Sequence, residues 1–318
     1  MLLDETEPYS GTRRLGSWVV DVTTTVVVPT FNRAALLERL LAALGNCASI
    51  SRHEVIVIDD GSTDGTAEVV RRFKSVRYAH QSNAGAAAAR NFGLREASGD
   101  IVAFIDDDCV PDERWLEDLE AAWARDPDAG GIGGTIRPLV DSRLARFVQL
   151  EGLIDHGWDG GAIRALVTAN ASFRRALLEN LGGFDESFPG AAGEDTDLSF
   201  RMRAAGHRLV VVQGATVYHD HRTGLRPLLH TYRNHGRGRR LLRSRHPSEG
   251  LGADATRKLG PAYWVGRWRS YRSCTSRFEA VLFVALRGAG LLNYVVGAKL
   301  PTRRVMVRRQ PKMRSHGR

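Results

Sequence analysis

Five apolar residues, Ile101 to Ile105, run directly into three consecutive aspartates, Asp106, Asp107 and Asp108. An apolar run without polar alternation reads as a strand buried on both faces, as in a parallel sheet covered by helices. The carboxylates then fall at the C-terminal end of the strand, the edge where open α/β sheets bind ligands. Two ionised carboxylates about 5 Å apart repel by roughly 3 kcal/mol at an effective dielectric near 20. A hard divalent cation turns that repulsion into attraction, because such ions choose oxygen ligands. The competing reading is a solvated acidic turn.

The surrounding pattern predicts the rest of such a sheet. Thr23 to Val28 is β-branched and apolar and reads as a first strand that Pro29 ends. Leucines at 36, 37, 40, 41 and 44 give residues 34–44 a helical period. Glu54 to Ile58 is a second buried strand, followed by Asp59-Asp60-Gly61-Ser62 and a helix to Phe73. Val76 to Ala79 is a short third strand, and Asn83 to Ala97 an Ala-rich helix closed by Gly99. Beyond residue 130 the alternation loosens. Gly130 to Gly134 marks a flexible or closely packed stretch. Residues 163–173 read as a strand returning under the site, 195–205 as a helix and 209–212 as a last strand. The predicted fold class is α/β, a mostly parallel sheet with helices on both faces and right-handed crossovers.

Charge divides the chain. Residues 1–221 carry 22 Lys/Arg against 33 Asp/Glu, whereas residues 222–318 carry 23 against 3. A boundary near 221 follows, giving an extension over 1–21, an acidic body over 22–221 and a basic, mainly helical extension over 222–318. The acidic body suits metal and hydroxyl chemistry. The basic part suits phosphates, anionic headgroups or nucleic acid.

Three cysteines, Cys47, Cys109 and Cys274, without CxxC spacing support neither a zinc site nor a disulfide framework, and point to a reducing cytosol. The opening residues are acidic and lack a long apolar core, so no secretory signal is expected. Residues 278–300 are the best membrane candidate. Their longest uncharged run, Gly288 to Ala298, falls short of the ~18 residues that argue for a span. Arg287 would cost about 2.5–3.5 kcal/mol at a bilayer centre. The readings, in order of preference, are a core helix, an interfacial helix flanked by Arg303, Arg304, Arg308 and Arg309, and last a true span. Trp264, Trp268 and Tyr271 belong to a core stripe or to an interfacial face.

The phosphate loops of common nucleotide folds are missing: no GxGxxG follows the first strand, and no GxxxxGK[ST] occurs. The first strand instead delivers Pro29-Thr30-Phe31-Asn32-Arg33, and the second delivers Asp59-Asp60. Phe31 can stack on a planar base, or anchor its loop. Asp60 can accept hydrogen bonds from a base or ribose, or serve as a turn aspartate before Gly61. Arg90 reads as a partner of the acidic strand ends, and Cys109 as a small packing residue.

Val26-Val27-Val28-Pro29-Thr30-Phe31-Asn32-Arg33 and Val57-Ile58-Asp59-Asp60-Gly61-Ser62-Thr63-Asp64 resemble the opening of a family 2 glycosyltransferase with the GT-A fold. Asn83-Ala84-Gly85, Ala89-Arg90-Asn91-Phe92-Gly93, and Phe104 to Asp108 continue the match in order. Gly182-Gly183-Phe184-Asp185-Glu186 and Gly193-Glu194-Asp195-Thr196-Asp197-Leu198 complete it, so that the resemblance covers residues 22–221. It implies an inverting enzyme that uses a nucleotide-diphosphate sugar, with UDP, dTDP and GDP all open, together with Mg²⁺ or Mn²⁺. By this similarity Asp106 and Asp107 lie at the donor nucleotide with Pro29, Thr30, Phe31 and Asp60, and Asp108 holds the metal. His219 is a second metal contact, with His221 competing for that role. Asp195 is the base for the acceptor hydroxyl, and Asn170, Glu194 and Asp197 lie on the acceptor side, where Glu194 and Asp197 can equally cap their helix. The acceptor is a glycan, a lipid-linked or a natural-product hydroxyl. Expected surroundings are the cytoplasm and, through the basic extension, the anionic inner face of the membrane, with no specific nucleic acid partner. Two rivals stand: a sugar-1-phosphate nucleotidyltransferase on a similar sheet, and a non-catalytic basic protein binding membrane or nucleic acid.

Overall fold

The structure, a computed structural model, describes residues 23–159, 162–188, 190–221, 224–251 and 261–299. The segment read as 1–21, most of the linker at 246–261 and the arginines at 303, 304, 308 and 309 lie outside the described residues.

Four parallel strands come first: β1 (Thr24–Thr30), β2 (Glu54–Asp59), β3 (Val76–His80) and β4 (Ile101–Ile105), with α1 (Ala34–Gly45), α2 (Thr66–Arg71) and α3 (Ala86–Glu96) between them. The middle of the chain adds β5 (Cys109–Pro111), α4 (Trp115–Arg125), β6 (Gly131–Gly133), β7 (Ile136–Pro138) and α5 (Arg143–Leu150). A hairpin of β8 (Gly157–Asp159) and β9 (Ala162–Ala165) precedes β10 (Asn170–Arg174), α6 (Arg175–Asn180), α7 (Glu194–Ala204), β11 (Leu209–Val211) and β12 (Val217–His219). Helices α8 (Leu225–Arg245), α9 (Pro261–Cys274) and α10 (Arg277–Lys299) follow.

The main sheet runs β11-β6-β10-β4-β1-β2-β3, and β10 is antiparallel to both of its neighbours. Side chains alternate across it. Val26, Val28, Ala103 and Ile105 pack with Leu37, Leu40, Trp115 and Leu119 on the face of α1 and α4. Val27, Phe104 and Phe173 pack with Leu94, Leu198 and Met202 on the face of α3 and α7. Both faces are covered, which is why these strands read as unbroken apolar runs. A small sheet, β5-β12-β7, lies beyond the end of β4.

Some details depart from the sequence reading. Pro29 lies inside β1 rather than ending it. Thr30 O accepts from Asp60 N and so faces β2, which turns Pro29 toward β4. The β1–β4 ladder stops at Val27, so the missing N–H costs no bond there. Residues 163–173 form two strands, β9 and β10, in different sheets. The glycine run is closely packed: a Cβ on Gly134 would sit 2.1 Å from the Ala215 carbonyl oxygen.

The three C-terminal helices share a cluster with α5, built on Phe147, Tyr232, Tyr271 and Phe283. Helices α8 and α10 meet backbone to backbone, since a Cβ on Gly236 would lie 2.0 Å from Tyr294 O and one on Gly297 2.0 Å from Arg233 O. Glu151, just past α5, accepts from Arg267 and Tyr271 and pairs with Arg287 Nη1 at 2.6 Å. Arg287 thus ties α10 to the body. Among the described residues α10 is the helix long and apolar enough to cross a membrane, yet only 28% of its most apolar 18-residue stretch is buried. One face of it packs on the body, and the other, with Phe278, Val281, Leu292 and Val296, is exposed. The aromatic stripe divides likewise: Tyr271 is fully buried, and Trp268 is 37% exposed.

Candidate active site

The C-terminal ends of β1, β2 and β4 open into a cavity of about 880 Å³, lined on its far side by residues of α7, α8 and α10. Pro29, Thr30, Phe31, Asp60, Asp106, Asp107, Asp108, Glu194, Asp195, His219 and His221 all line it.

At the end of β1 the chain turns through Asn32, whose φ of 53° is left-handed. Asn32 Oδ1 accepts from Thr63 N at 2.7 Å, which locks the β1 loop to the β2 loop. This leaves Phe31 projecting, 44% exposed, as one wall of the cavity rather than an anchor. Asp60 is buried, and both its oxygens are engaged. Oδ1 accepts from Gln81 Nε2 and Ala84 N, and Oδ2 from Gly85 N at 2.8 Å. It fixes the loop before α3, so its contribution to the cavity is the shape of that loop as well as its charge.

The aspartate triplet points three ways. Asp106 is half-buried and accepts from Arg90 Nη2 at 2.9 Å. Asp107 accepts from Thr30 Oγ1 at 2.8 Å and Arg33 Nη1 at 2.6 Å. Asp108 accepts from the same Arg33 at 3.0 Å and faces His219 Nε2 at 3.2 Å. Burial pushes the Asp107 carboxyl up to about 7, against the opposing pull of Arg33. Burial also raises Asp108, with His219 drawing it down. Asp108 Oδ1 is buried and makes no hydrogen bond of adequate geometry, despite the imidazole nearby. A buried anionic oxygen left over in this way fits a cation.

His219 reaches Asp108 because β12 pairs antiparallel with β5, with His219 opposite Cys109. His219 Nδ1 lies 3.1 Å from His221 Nδ1. Burial lowers His221 to about 4, so it is neutral at pH 7. A proton on His219 Nδ1 shared with neutral His221 would leave the Nε2 lone pair toward Asp108, the tautomer a metal ligand needs. Ligand atoms of Asp108, Cys109 and His219 lie within 4.8 Å of one another. Cys109 is fully buried, and its thiol is pushed well above its ordinary range. Held protonated, it serves packing; the carboxylate oxygen suits Mg²⁺ or Mn²⁺, and the imidazole beside it is acceptable to Mn²⁺ and less so to Mg²⁺.

Across the cavity, Gly193 takes a left-handed φ of 100° and starts α7. Glu194 is buried and accepts from Arg90 Nη1 at 2.7 Å. Burial and neighbouring Asp195 raise its carboxyl to about 7. Arg90, 2% exposed, therefore spans from the β4 end to the start of α7 and holds the two carboxylate groups in register. Asp195 Oδ1 accepts from Thr196 N at 2.6 Å, and its proton affinity is raised by burial, with Arg90 opposing. Asp195 Oδ2 has no hydrogen-bond partner among the described residues.

Two sequence expectations fail on geometry. Asn170 is fully buried with its amide saturated: Oδ1 accepts from Trp115 Nε1, and Nδ2 donates to Thr135 O and Ala215 O. It pins the sheet behind the cavity, while Thr168 and Ala169 line it. Asp197 stands two residues after Asp195, about 200° around the helix. It faces away, with Arg201 Nε on one oxygen at 2.8 Å and His246 Nε2 on the other at 2.7 Å. The sequence reading did not single out three lining side chains of the C-terminal helices, His235 of α8 and Leu291 and Tyr294 of α10. The four-residue step from His235 to the basic residue Arg239, which also lines the cavity, was the available signal on α8.

Residues 25–182 match the sequence model described as glycosyl transferase family 2. A pre-mycofactocin glycosyltransferase of Mycobacterium tuberculosis is 32% identical over 296 residues, covering 83% of this chain and 61% of that protein. A validoxylamine A glucosyltransferase of Streptomyces hygroscopicus subsp. jinggangensis is 33% identical over 221 residues, covering 58% of this chain and 52% of that one. The chain thus spans between half and two-thirds of the length of these two relatives. Among solved structures, a mannosyltransferase from Pyrobaculum calidifontis in complex with GDP-Man and Mn²⁺ superposes with a TM-score of 0.61 at 22% identity, covering 86% of each chain. The shared fold is the three-layer GT-A arrangement, and this chain carries a helical C-terminal extension.

Proposed function

This chain belongs to glycosyltransferase family 2, and from that premise we propose that it moves a sugar, with inversion, from a nucleotide-diphosphate donor to an acceptor hydroxyl. Residues 22–221 form the catalytic body and 222–318 the extension, of which α8 and α10 wall the acceptor side. Phe31 stacks on the base, with Pro29, Thr30 and Asp60 shaping its pocket. Asp106 and Asp107 face the ribose and diphosphate. Asp108 and His219 would hold Mg²⁺ or Mn²⁺. When bound, the ion supplies Lewis-acid stabilisation of the departing diphosphate.

The chain's own residues do the rest. Thr196 fixes one oxygen of Asp195 and leaves the other to accept the proton of the acceptor hydroxyl as its oxygen attacks. The raised proton affinity of Asp195 suits that role, since burial makes the carboxylate a stronger base. Arg90 keeps the base helix at a set distance from the donor carboxylates, and Glu194 is its acceptor-side partner.

The observation that most supports this reading is the buried, unsatisfied Asp108 Oδ1 beside His219, in one cavity with the free oxygen of Asp195. The protein acts in the cytoplasm, with its basic extension in peripheral contact with the inner face of the membrane. Thermal-shift measurements against UDP-, dTDP- and GDP-sugars, with and without Mn²⁺, test the proposal. One donor class stabilises the protein, and more strongly with metal. Absence of stabilisation by every donor overturns it.

A further inference from the structure

We infer that the outward face of α10 docks the enzyme on an anionic membrane surface. Phe278 (67% exposed), Val281 (59%), Leu292 (67%) and Val296 (39%) fall at steps of three, eleven and four residues. Exposed Ala285 fills the gap, so they form one stripe along a single helical face. Val265 and Trp268 of α9 are exposed as well. Contiguous apolar surface of this kind marks an interaction face.

Charge selects the partner. Residues 261–318 carry 13 Lys/Arg against one acid, Glu279, and that acid is buried. Arg269, Arg277 and Lys299 are exposed on the two helices that carry the apolar residues. Arg143 lies over the Phe278 ring at 5.5 Å. An apolar stripe with basic neighbours is the pattern of a helix lying in a lipid interface, aromatic and aliphatic groups inserted and cations on phosphate. A second copy of the chain would bring like charge against like. A span is ruled out by the opposite face of α10, where Arg287, Leu291 and Tyr294 line the catalytic cavity and Arg287 pairs with Glu151.

The consequence rests on the glycosyltransferase reading, although the docking itself does not. One helix forms both the cavity wall and the lipid-facing surface, so the cavity lies about one helix diameter, roughly 10 Å, from the bilayer. An acceptor anchored in the membrane reaches Asp195 without leaving the surface.

The test is co-sedimentation of the full chain with vesicles of phosphatidylcholine alone or with roughly one-third phosphatidylglycerol, at low and high salt. Binding to the anionic vesicles should exceed binding to the neutral ones by about tenfold or more. The double variant Val281→Asp/Leu292→Asp should lose about tenfold, while its stabilisation by Mn²⁺ and nucleotide is kept. That second readout separates a failed docking surface from a failed catalytic site. Three outcomes overturn the inference. The protein does not bind anionic vesicles, or the double variant binds as tightly as the parent while Arg303→Glu/Arg304→Glu/Arg308→Glu/Arg309→Glu abolishes binding. The third is that light scattering finds a dimer which the double variant converts to monomer.

Discussion

Glu151 is the knot that holds the extension to the catalytic body, and Glu151→Gln measures its strength. The carboxylate has a 2% exposed side chain and meets two guanidinium groups, Arg287 at 2.6 Å and Arg267, with Tyr271 donating its hydroxyl. At an effective dielectric near 20, each charge pair with centres ~4 Å apart contributes about 4 kcal/mol of attraction, much of it offset by desolvation. Removing one partner of a buried pair typically costs about 3–5 kcal/mol, because the remaining charge stays buried. Here Arg267 is 25% exposed and can turn to solvent, whereas Arg287, at 12%, cannot do so as easily. Glutamine retains one acceptor. We therefore expect a loss of about 3 kcal/mol, which for a chain of this size lowers Tm by roughly 4–5 °C. Denaturant unfolding followed by tryptophan fluorescence reads it, and Glu151→Gln/Arg287→Met should recover part of the loss by removing the stranded cation. A loss below about 1 kcal/mol, or a double variant no better than the single, refutes the idea that this ion cluster anchors the extension.

Asp195→Asn keeps the shape of the cavity and removes the proton acceptor, so transfer should fall by roughly 10²–10⁴-fold with donor affinity nearly unchanged, read by initial rates and calorimetry. Phe31→Ala should weaken nucleotide binding by about 1–3 kcal/mol, as the loss of a stacked base does, leaving thermal stability intact because the ring is exposed. The pH dependence follows from Glu194, whose carboxyl is held near 7 by burial when folded and near 4.3 when unfolded. Between those values the unfolded chain has released a proton that the folded chain keeps. Stability of the metal-free protein therefore falls as pH rises from about 4.5 to about 7, by an amount on the order of 3 kcal/mol from this group. Chemical denaturation in EDTA should show the decline flattened in Glu194→Gln.

Much of the donor side could be read from the chain because it lies in short segments at strand ends. Val26 to Arg33, Ile58 to Ser62 and Ile105 to Asp108 are each continuous, and parallel pairing of buried runs brings their ends together. The histidine side was harder. His219 meets Asp108 through three-residue strands, too short to show a period, paired across more than a hundred residues. Asn170 was expected on the acceptor side by resemblance alone, and Asp197 because it follows Asp195 in the same motif. Register turned Asn170 toward Trp115, and two helical steps turned Asp197 away from the cavity toward His246. The role of α10 could not be decided from hydropathy, since one of its faces lines a polar cavity while the other carries the apolar stripe.

The proposed role of Asp108 is to couple a divalent cation to the nucleotide diphosphate. Calorimetric titration of Mn²⁺ into the protein with the stabilising nucleotide diphosphate, compared between the parent and Asp108→Asn, tests it most directly. Mn²⁺ should raise nucleotide affinity in the parent, and this coupling should disappear in Asp108→Asn while the fold persists. Equal coupling in the two proteins would contradict it.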